Sequence, residues 1–126
     1  MKLVLADTSI WVDHFRKSNA GLRILIELDA LATHPFVIGE LACGTPPQRL
    51  QTLADLLLLR QVKQATAEES MAFIEREELY GKGCGWVDIL LLTSTLLTPG
   101  ALLWTYDRRL ESLAGPFGVL YRPVLH

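Results

Sequence analysis

Short apolar runs of strand length alternate with helix-length segments along this chain, and that alternation leaves few folds open. Lys2–Ala6 reads as a strand, and Asp7-Thr8-Ser9 behind it is helix-start chemistry, with Ile10, Trp11 and Phe15 at helical spacing. A second helix is expected over Gly21–Leu31, where Leu22, Leu25 and Ile26 make one apolar face and Ile24, Leu28 and Leu31 another. His34–Val37 reads as a brief strand running into a helix over Ile38–Cys43 that Gly44 stops. Thr45-Pro46 opens the next helix, to about Leu59, and Gln61–Ala65 reads as a short strand. Thr66 and Glu69 form a capping box for the helix that follows. Gly81–Gly85 is a turn, Trp86–Leu97 a buried helix and Ala101–Tyr106 a buried strand. Asp107 caps a helix to about Ala114, Gly115 lies past its end, and Gly118–Tyr121 is a last strand. Long connections between strands predict a parallel sheet covered on both faces, with ligand chemistry at the carboxyl ends of its strands.

Four acids stand apart by context. Asp7 ends the run Leu3-Val4-Leu5-Ala6, and Asp107 follows Leu102-Leu103-Trp104-Thr105-Tyr106. Glu40 and Asp88 sit inside apolar helical stretches, Phe36–Ala42 and Trp86–Leu92. Asp7 and Asp107 each occupy an ordinary N-cap position, so each alone is as well read as a cap. Glu40 and Asp88 lack that reading; a buried carboxylate needs a salt bridge or a metal to offset its desolvation. The set is more specific than its members, because strand ends and helix starts share one rim of a parallel sheet. Two carboxylates about 5 Å apart there repel by roughly 3 kcal/mol at an effective dielectric near 20. A divalent cation removes that repulsion, and oxygen-only ligands suit Mg²⁺ or Mn²⁺ rather than zinc.

Composition narrows the functions further. With 126 residues the expected organisation is a single domain over 1–126, and 50% hydrophobic content excludes disorder. A net charge of −2 argues against a protein that coats DNA by neutralising phosphates. Cys43 and Cys84 have neither zinc nor CxxC spacing and are expected to be reduced packing residues. No leader is expected at the start, where Asp7 interrupts the apolar run. The uncharged stretch Ile89–Tyr106 is broken by Pro99-Gly100, so a soluble, cytoplasmic protein is expected rather than a membrane span.

Leu5-Ala6-Asp7-Thr8-Ser9, Val37-Ile38-Gly39-Glu40-Leu41, Gly85-Trp86-Val87-Asp88-Ile89-Leu90-Leu91 and Thr105-Tyr106-Asp107-Arg108-Arg109-Leu110 resemble the four acidic motifs of PIN-domain nucleases. More narrowly, they resemble those of the VapC toxins of bacterial toxin–antitoxin pairs. The resemblance spans nearly the whole chain, with the motifs in order. It implies an α/β PIN fold, a twisted parallel sheet of four to five strands with helices on both faces. It also implies an Mg²⁺- or Mn²⁺-dependent endoribonuclease with Asp7 and Asp88 as principal metal ligands and Glu40 and Asp107 completing the catalytic site. In-line attack of water on phosphorus would leave 5′-phosphate and 3′-hydroxyl ends. Thr8, Ser9 and Thr105 carry hydroxyls that can orient the carboxylates, although ordinary capping explains them equally well. Arg108 and Arg109, with Arg16 and Lys17, are candidates for guiding RNA phosphates, against a plain reading as surface charge. The resemblance further implies a small VapB-like antitoxin and a homodimer. Gly21–Leu31 and Leu53–Leu59 are candidates for the antitoxin's groove, weighed below a core role.

Other readings are weaker. Gly81-Lys82-Gly83-Cys84-Gly85 lacks the full phosphate-loop pattern and follows a helix rather than a strand. His14, His34 and Ser9 make no hydrolase elbow. A phosphoacceptor receiver would need an acceptor Asp mid-chain directly after a central strand and a late Lys; this chain has no such Asp there, and no Lys follows Lys82. The remaining alternative is a PIN-like module that binds RNA or protein without cutting; the retention of all four acids counts against it.

Overall fold

Leu3–Ala6 forms β1 because a strand buried on both faces is written as an unbroken apolar run, and Val4, Leu5 and Ala6 are fully buried. The computed structural model describes residues 2–123, so residue 1 and residues 124–126 of the expected 1–126 domain lie outside the described residues. β2 is Leu31–Thr33, β3 is Arg60–Gln61 and β4 is Ala101–Trp104; all pair in parallel, in the order β3-β2-β1-β4. Helices α1 (Thr8–Lys17) and α2 (Ala20–Glu27) connect β1 to β2, and α3 (Pro35–Ala42) and α4 (Arg49–Leu57) connect β2 to β3. Helices α5 (Ala67–Glu77) and α6 (Trp86–Leu97) cross back to β4, which α7 (Arg108–Ala114) follows. Right-handed crossovers put α1–α4 on one face. The return from β3 to β4 runs the other way across the sheet and puts α5 and α6 on the opposite face. The sheet is thus covered on both sides, as the alternation predicts. Leu5, Leu91, Leu92, Leu103, Trp104 and Leu110 are among its fully buried side chains.

Several boundaries differ from the sequence reading. The helix expected over Gly21–Leu31 ends at Glu27; Asp29 turns the chain through a left-handed conformation (φ 54°), and Leu31 opens β2. A short apolar run fits helical and strand periods equally, and here the sheet took its end. His34–Val37 is consequently not a strand: His34 caps α3 and Pro35 is its first residue. The strand expected over Gln61–Ala65 is only Arg60–Gln61. Thr45-Pro46 does not start α4, which begins at Arg49 behind a left-handed Gln48. Gly118–Tyr121 contributes one bridge, Leu103 to Leu120, so a fifth strand is vestigial. Gly115 stays right-handed and opens a single 3₁₀ turn over Gly115–Phe117; Gly118, at φ 71°, ends it. Cys43 is exposed rather than packed, whereas Cys84 is half-buried against the core. Among the described residues no helix is long and apolar enough to cross a membrane.

His34 carries a testable consequence. Its Nδ1 accepts the Phe36 backbone N–H at 3.0 Å, and its Nε2 is buried without a partner. Burial lowers its pKa from the ordinary 6.5. The unfolded chain therefore binds this proton more readily than the folded one, and stability rises with pH in that window. The His34 contribution is complete above about pH 6.5 and is lost as pH falls from there through the lowered folded value. Denaturation at stepped pH should show that loss, and His34→Asn, which keeps a capping acceptor, should flatten it. Parallel pH profiles for the two proteins would contradict the assignment. His14 shifts the same way, and Asp7 and Asp88, raised by burial, slope oppositely in the acid range, so the difference between the two proteins is what isolates His34.

Candidate active site

The strand order reverses beside β1: the chain moves outward to β2 and β3, then returns to β4 on β1's other side. In an open parallel sheet such a reversal leaves a crevice at the carboxyl ends of the two strands. Asp7 follows β1 directly, and Asp107 lies just beyond β4. Both are N-caps as well: Asp7 accepts from the Ser9 and Ile10 N–H groups, and Asp107 accepts from Arg109 at 2.8 Å and Leu110 at 3.2 Å. Capping and site membership coincide here because the loops after these strands are helix starts.

Hydroxyls stitch the two strand ends together. Thr105 Oγ1 donates to Asp7 Oδ2 and accepts the Asp107 N–H at 3.0 Å. Ser9 Oγ donates to Asp7 Oδ1 and accepts the Tyr106 N–H at 3.0 Å. The Asp7 N–H donates to the Trp104 carbonyl at 3.0 Å. Asp7 is the one buried member of the acid set, at 6% exposure. Burial raises its pKa, and the hydrogen bonds from Ser9, Thr105 and Ile10 oppose that rise. Its Oδ1 takes Ser9 N–H, Ser9 Oγ–H and Ile10 N–H, while Oδ2 takes Thr105 alone and keeps a lone pair.

Glu40 and Asp88 are not core carboxylates, contrary to the reading from their apolar neighbours. Glu40 is exposed on α3, where Thr8 Oγ1 donates to its Oε1 at 2.7 Å. Asp88 is half-buried in the first turn of α6, where its Oδ2 accepts the Gly85 N–H at 3.4 Å. Apolar letters around them mark helix faces turned to the sheet, while these two positions turn to the rim. Burial raises the Asp88 pKa, and the charges of Asp107, Asp7 and Glu40 add to the rise, against the Gly85 N–H. The fields of the other three acids of the set therefore reach Asp88. Among the described residues no three His, Cys, Asp or Glu side chains stand close enough to grip an ion as they are. The donor chemistry nevertheless fits a hard divalent cation: carboxylate oxygens only, Asp7 with an unused lone pair, and Glu40 and Asp107 exposed and unhindered by packing.

Arg108 and Arg109 are exposed beside Asp107; Arg16, in the last turn of α1, shares a pocket with Thr8 and Glu40, whereas Lys17 ends that helix paired with Asp13. Two residues gain a place that the sequence reading did not give them. Asn19 caps α2, and its Nδ2 donates to the Tyr106 hydroxyl at 2.9 Å and to Asp13 at 3.0 Å, holding Tyr106 half-exposed next to Asp107. An Asn before Ala20 is recognisable as a cap; its tie to Tyr106, 87 residues away, is not. Lys82, set aside with its turn, lines a pocket with both arginines.

Comparison with known proteins identifies the family. The PIN domain family matches residues 4–116. The chain is 41% identical over 117 residues to Ribonuclease VapC32 of Mycobacterium tuberculosis, in strains CDC 1551 / Oshkosh and ATCC 25618 / H37Rv alike. That alignment covers 93% of this chain and 94% of the relative.

Proposed function

The chain belongs to the PIN-domain family, and from that premise we propose that it is a metal-dependent endoribonuclease acting as the toxin of a toxin–antitoxin pair. What supports this reading is that Asp7 and Asp107 follow the neighbouring strands β1 and β4 at the reversal, that Thr105 Oγ1 bonds both the Asp7 carboxylate and the Asp107 N–H, and that Asp7, Glu40 and Asp107 each act electrostatically on Asp88. Asp7 and Asp88 would hold Mg²⁺ or Mn²⁺, with Glu40 and Asp107 completing the site. When bound, such a cation acidifies water and withdraws charge from a phosphoryl oxygen. Ser9 and Thr105 fix the Asp7 carboxylate, and Thr8 aims Glu40, so positions are set before substrate arrives. Glu40 or Asp107, both in contact with solvent, takes the proton from the attacking water. Attack in line with the departing 3′ oxygen leaves a 5′-phosphate and a 3′-hydroxyl. Exposed loops of RNA are the fitting substrate, because unpaired bases can be read.

The antitoxin's place is argued from apolar surface. Leu22, Leu25, Leu31 and Leu56 are core, as the heavier weight had it, but Ile24, Ile26, Leu28, Leu57 and Leu58 are exposed, so each segment also offers an apolar outer face. Beside them a cavity of about 320 Å³ is lined by Trp11, Phe15, Ile26, Leu56 and Leu59 among others. An amphipathic helix fits such a groove. We include a homodimer and a cytoplasmic setting in the same proposal.

The purified protein should cut single-stranded RNA with Mg²⁺ or Mn²⁺ and stop in EDTA, leaving ends that a 5′-phosphate-dependent exonuclease degrades. Ile26→Asp with Leu57→Asp should keep that cleavage and lose antitoxin neutralisation. Cleavage that persists in EDTA, or none with any divalent ion, would overturn the enzymatic reading in favour of a non-cutting module. Light scattering with and without antitoxin reads the assembly.

A further inference from the structure

The turn between α5 and α6 and the outer side of α7 enclose a pocket of about 630 Å³. That lies within the roughly 300–1,000 Å³ usual for small-ligand sites. Its lining has two chemistries. Leu79, Leu113, Pro116 and Phe117 make an apolar floor, and Lys82 from the turn with Arg108 and Arg109 from α7 bring three cations to its wall. The Phe117 ring is pinned by Phe73, with centroids 5.2 Å apart. Among the described residues no acid forms a salt bridge with those three cations, whereas Glu77, also on the wall, pairs with Arg76 at 3.3 Å. Gly83 fits the same arrangement: at φ +85° its missing Cβ would lie 3.0 Å from Arg109 Cδ, so Arg109 runs across the turn where a side chain would stand. The pocket adjoins the acids, since Arg108 directly follows Asp107 and the Cys84 thiol feels Asp88, Asp107 and Arg109 together.

We infer that this pocket takes one nucleotide of single-stranded RNA beside the scissile phosphate, its base on the Leu79–Leu113–Phe117 floor and its phosphates on Lys82, Arg108 and Arg109. The inference rests on the ribonuclease reading and adds a positioning site to it. Free cations select an anionic ligand, and an apolar floor beside them selects one that also carries a flat, poorly hydrated face. A duplex presents no such face, because its bases are stacked inside. Lys82 thereby joins Arg108 and Arg109 as a phosphate contact, and the glycine-rich turn acts as one wall of the substrate path.

The test uses a short fluorescent single-stranded RNA, with binding read in EDTA and cleavage read in Mn²⁺. Lys82→Ala should weaken binding and lower the slope of log affinity against log salt by roughly 0.7, the value for one lost phosphate contact. Ser112→Trp, on the exposed rim, fills the pocket without removing charge. It should weaken binding about tenfold while leaving the salt slope in place, the loss in cleavage falling on KM rather than kcat. If Lys82→Ala acts and Ser112→Trp does not, the cations merely steer RNA and the pocket inference is overturned. It is equally overturned if Ser112→Trp binds RNA normally and loses the antitoxin, which would make the pocket a peptide site. Wild-type protein that binds RNA with these sensitivities but never cuts it would overturn the catalytic reading and leave the nucleotide pocket standing.

Discussion

Asp7→Asn and Asp88→Asn are each expected to lower RNA cleavage by about a hundredfold to a thousandfold, the scale of losing a charge-stabilising group at a reacting centre, while the protein stays folded. Asn keeps the shape and one acceptor oxygen of Asp. At Asp7 that oxygen still caps α1 through the Ser9 and Ile10 N–H groups, so the helix start survives. What disappears is the negative charge that a divalent cation requires. At Asp88 the Gly85 N–H keeps its acceptor. The variant also loses a carboxylate that burial and three neighbouring acids destabilise in its charged form. Asp88→Asn should therefore melt higher than the wild type in EDTA. Inactivity together with unchanged or raised stability separates a lost site from a lost fold. An inactive Asp88→Asn protein that melts lower would put Asp88 among structural residues instead.

Trp104→Ala is expected to cost about 3–5 kcal/mol, a large part of the roughly 5–15 kcal/mol that holds a domain together. Trp104 is 2% exposed at the end of β4. Its ring meets Tyr121 at 5.3 Å and Tyr106 at 6.2 Å, both edge-on. Gly21 makes room for it: a Cβ there would lie 3.1 Å from the Trp104 ring. The same residue's carbonyl receives the Asp7 N–H, so packing and site geometry meet at one position. Urea denaturation should show the drop, and Trp104→Phe, which keeps a ring, should show a smaller one. A loss below about 1 kcal/mol for the alanine variant would mean that the surroundings collapse onto the gap.

The layered α/β architecture was largely legible in the chain, and so were the acids that follow its strands, for different reasons. Leu3–Ala6 and Trp86–Leu97 are written plainly, because a doubly buried strand and a buried helix differ in length even when both are apolar throughout. Leu28–Thr33 was not, since a strand of three residues is too short for its period to declare itself against the helix before it. His34-Pro35 held an N-cap and first-turn signal that a strand reading obscured. Asp7 and Asp107 were legible as acids behind strands. Glu40 and Asp88 were picked out on the premise of full burial, yet Glu40 is exposed and Asp88 only half-buried; Asp88 stands in the first turn of α6, and Glu40, late in α3, is tied to the start of α1 by the Thr8 hydroxyl. The exposed Ile24, Leu28, Leu57 and Leu58 show the limit of composition: a leucine is written identically whether it faces a core or a partner.

The account turns on whether the acids at the strand reversal bind one divalent site together. Calorimetric titration of Mn²⁺ into the purified, EDTA-treated protein measures this without reference to RNA. The account predicts saturable binding in the wild type, loss of that binding in both Asp7→Asn and Asp88→Asn, and retention in a distant control such as Asp55→Asn. Equal Mn²⁺ affinity in the wild type and the Asp7→Asn and Asp88→Asn proteins would contradict it.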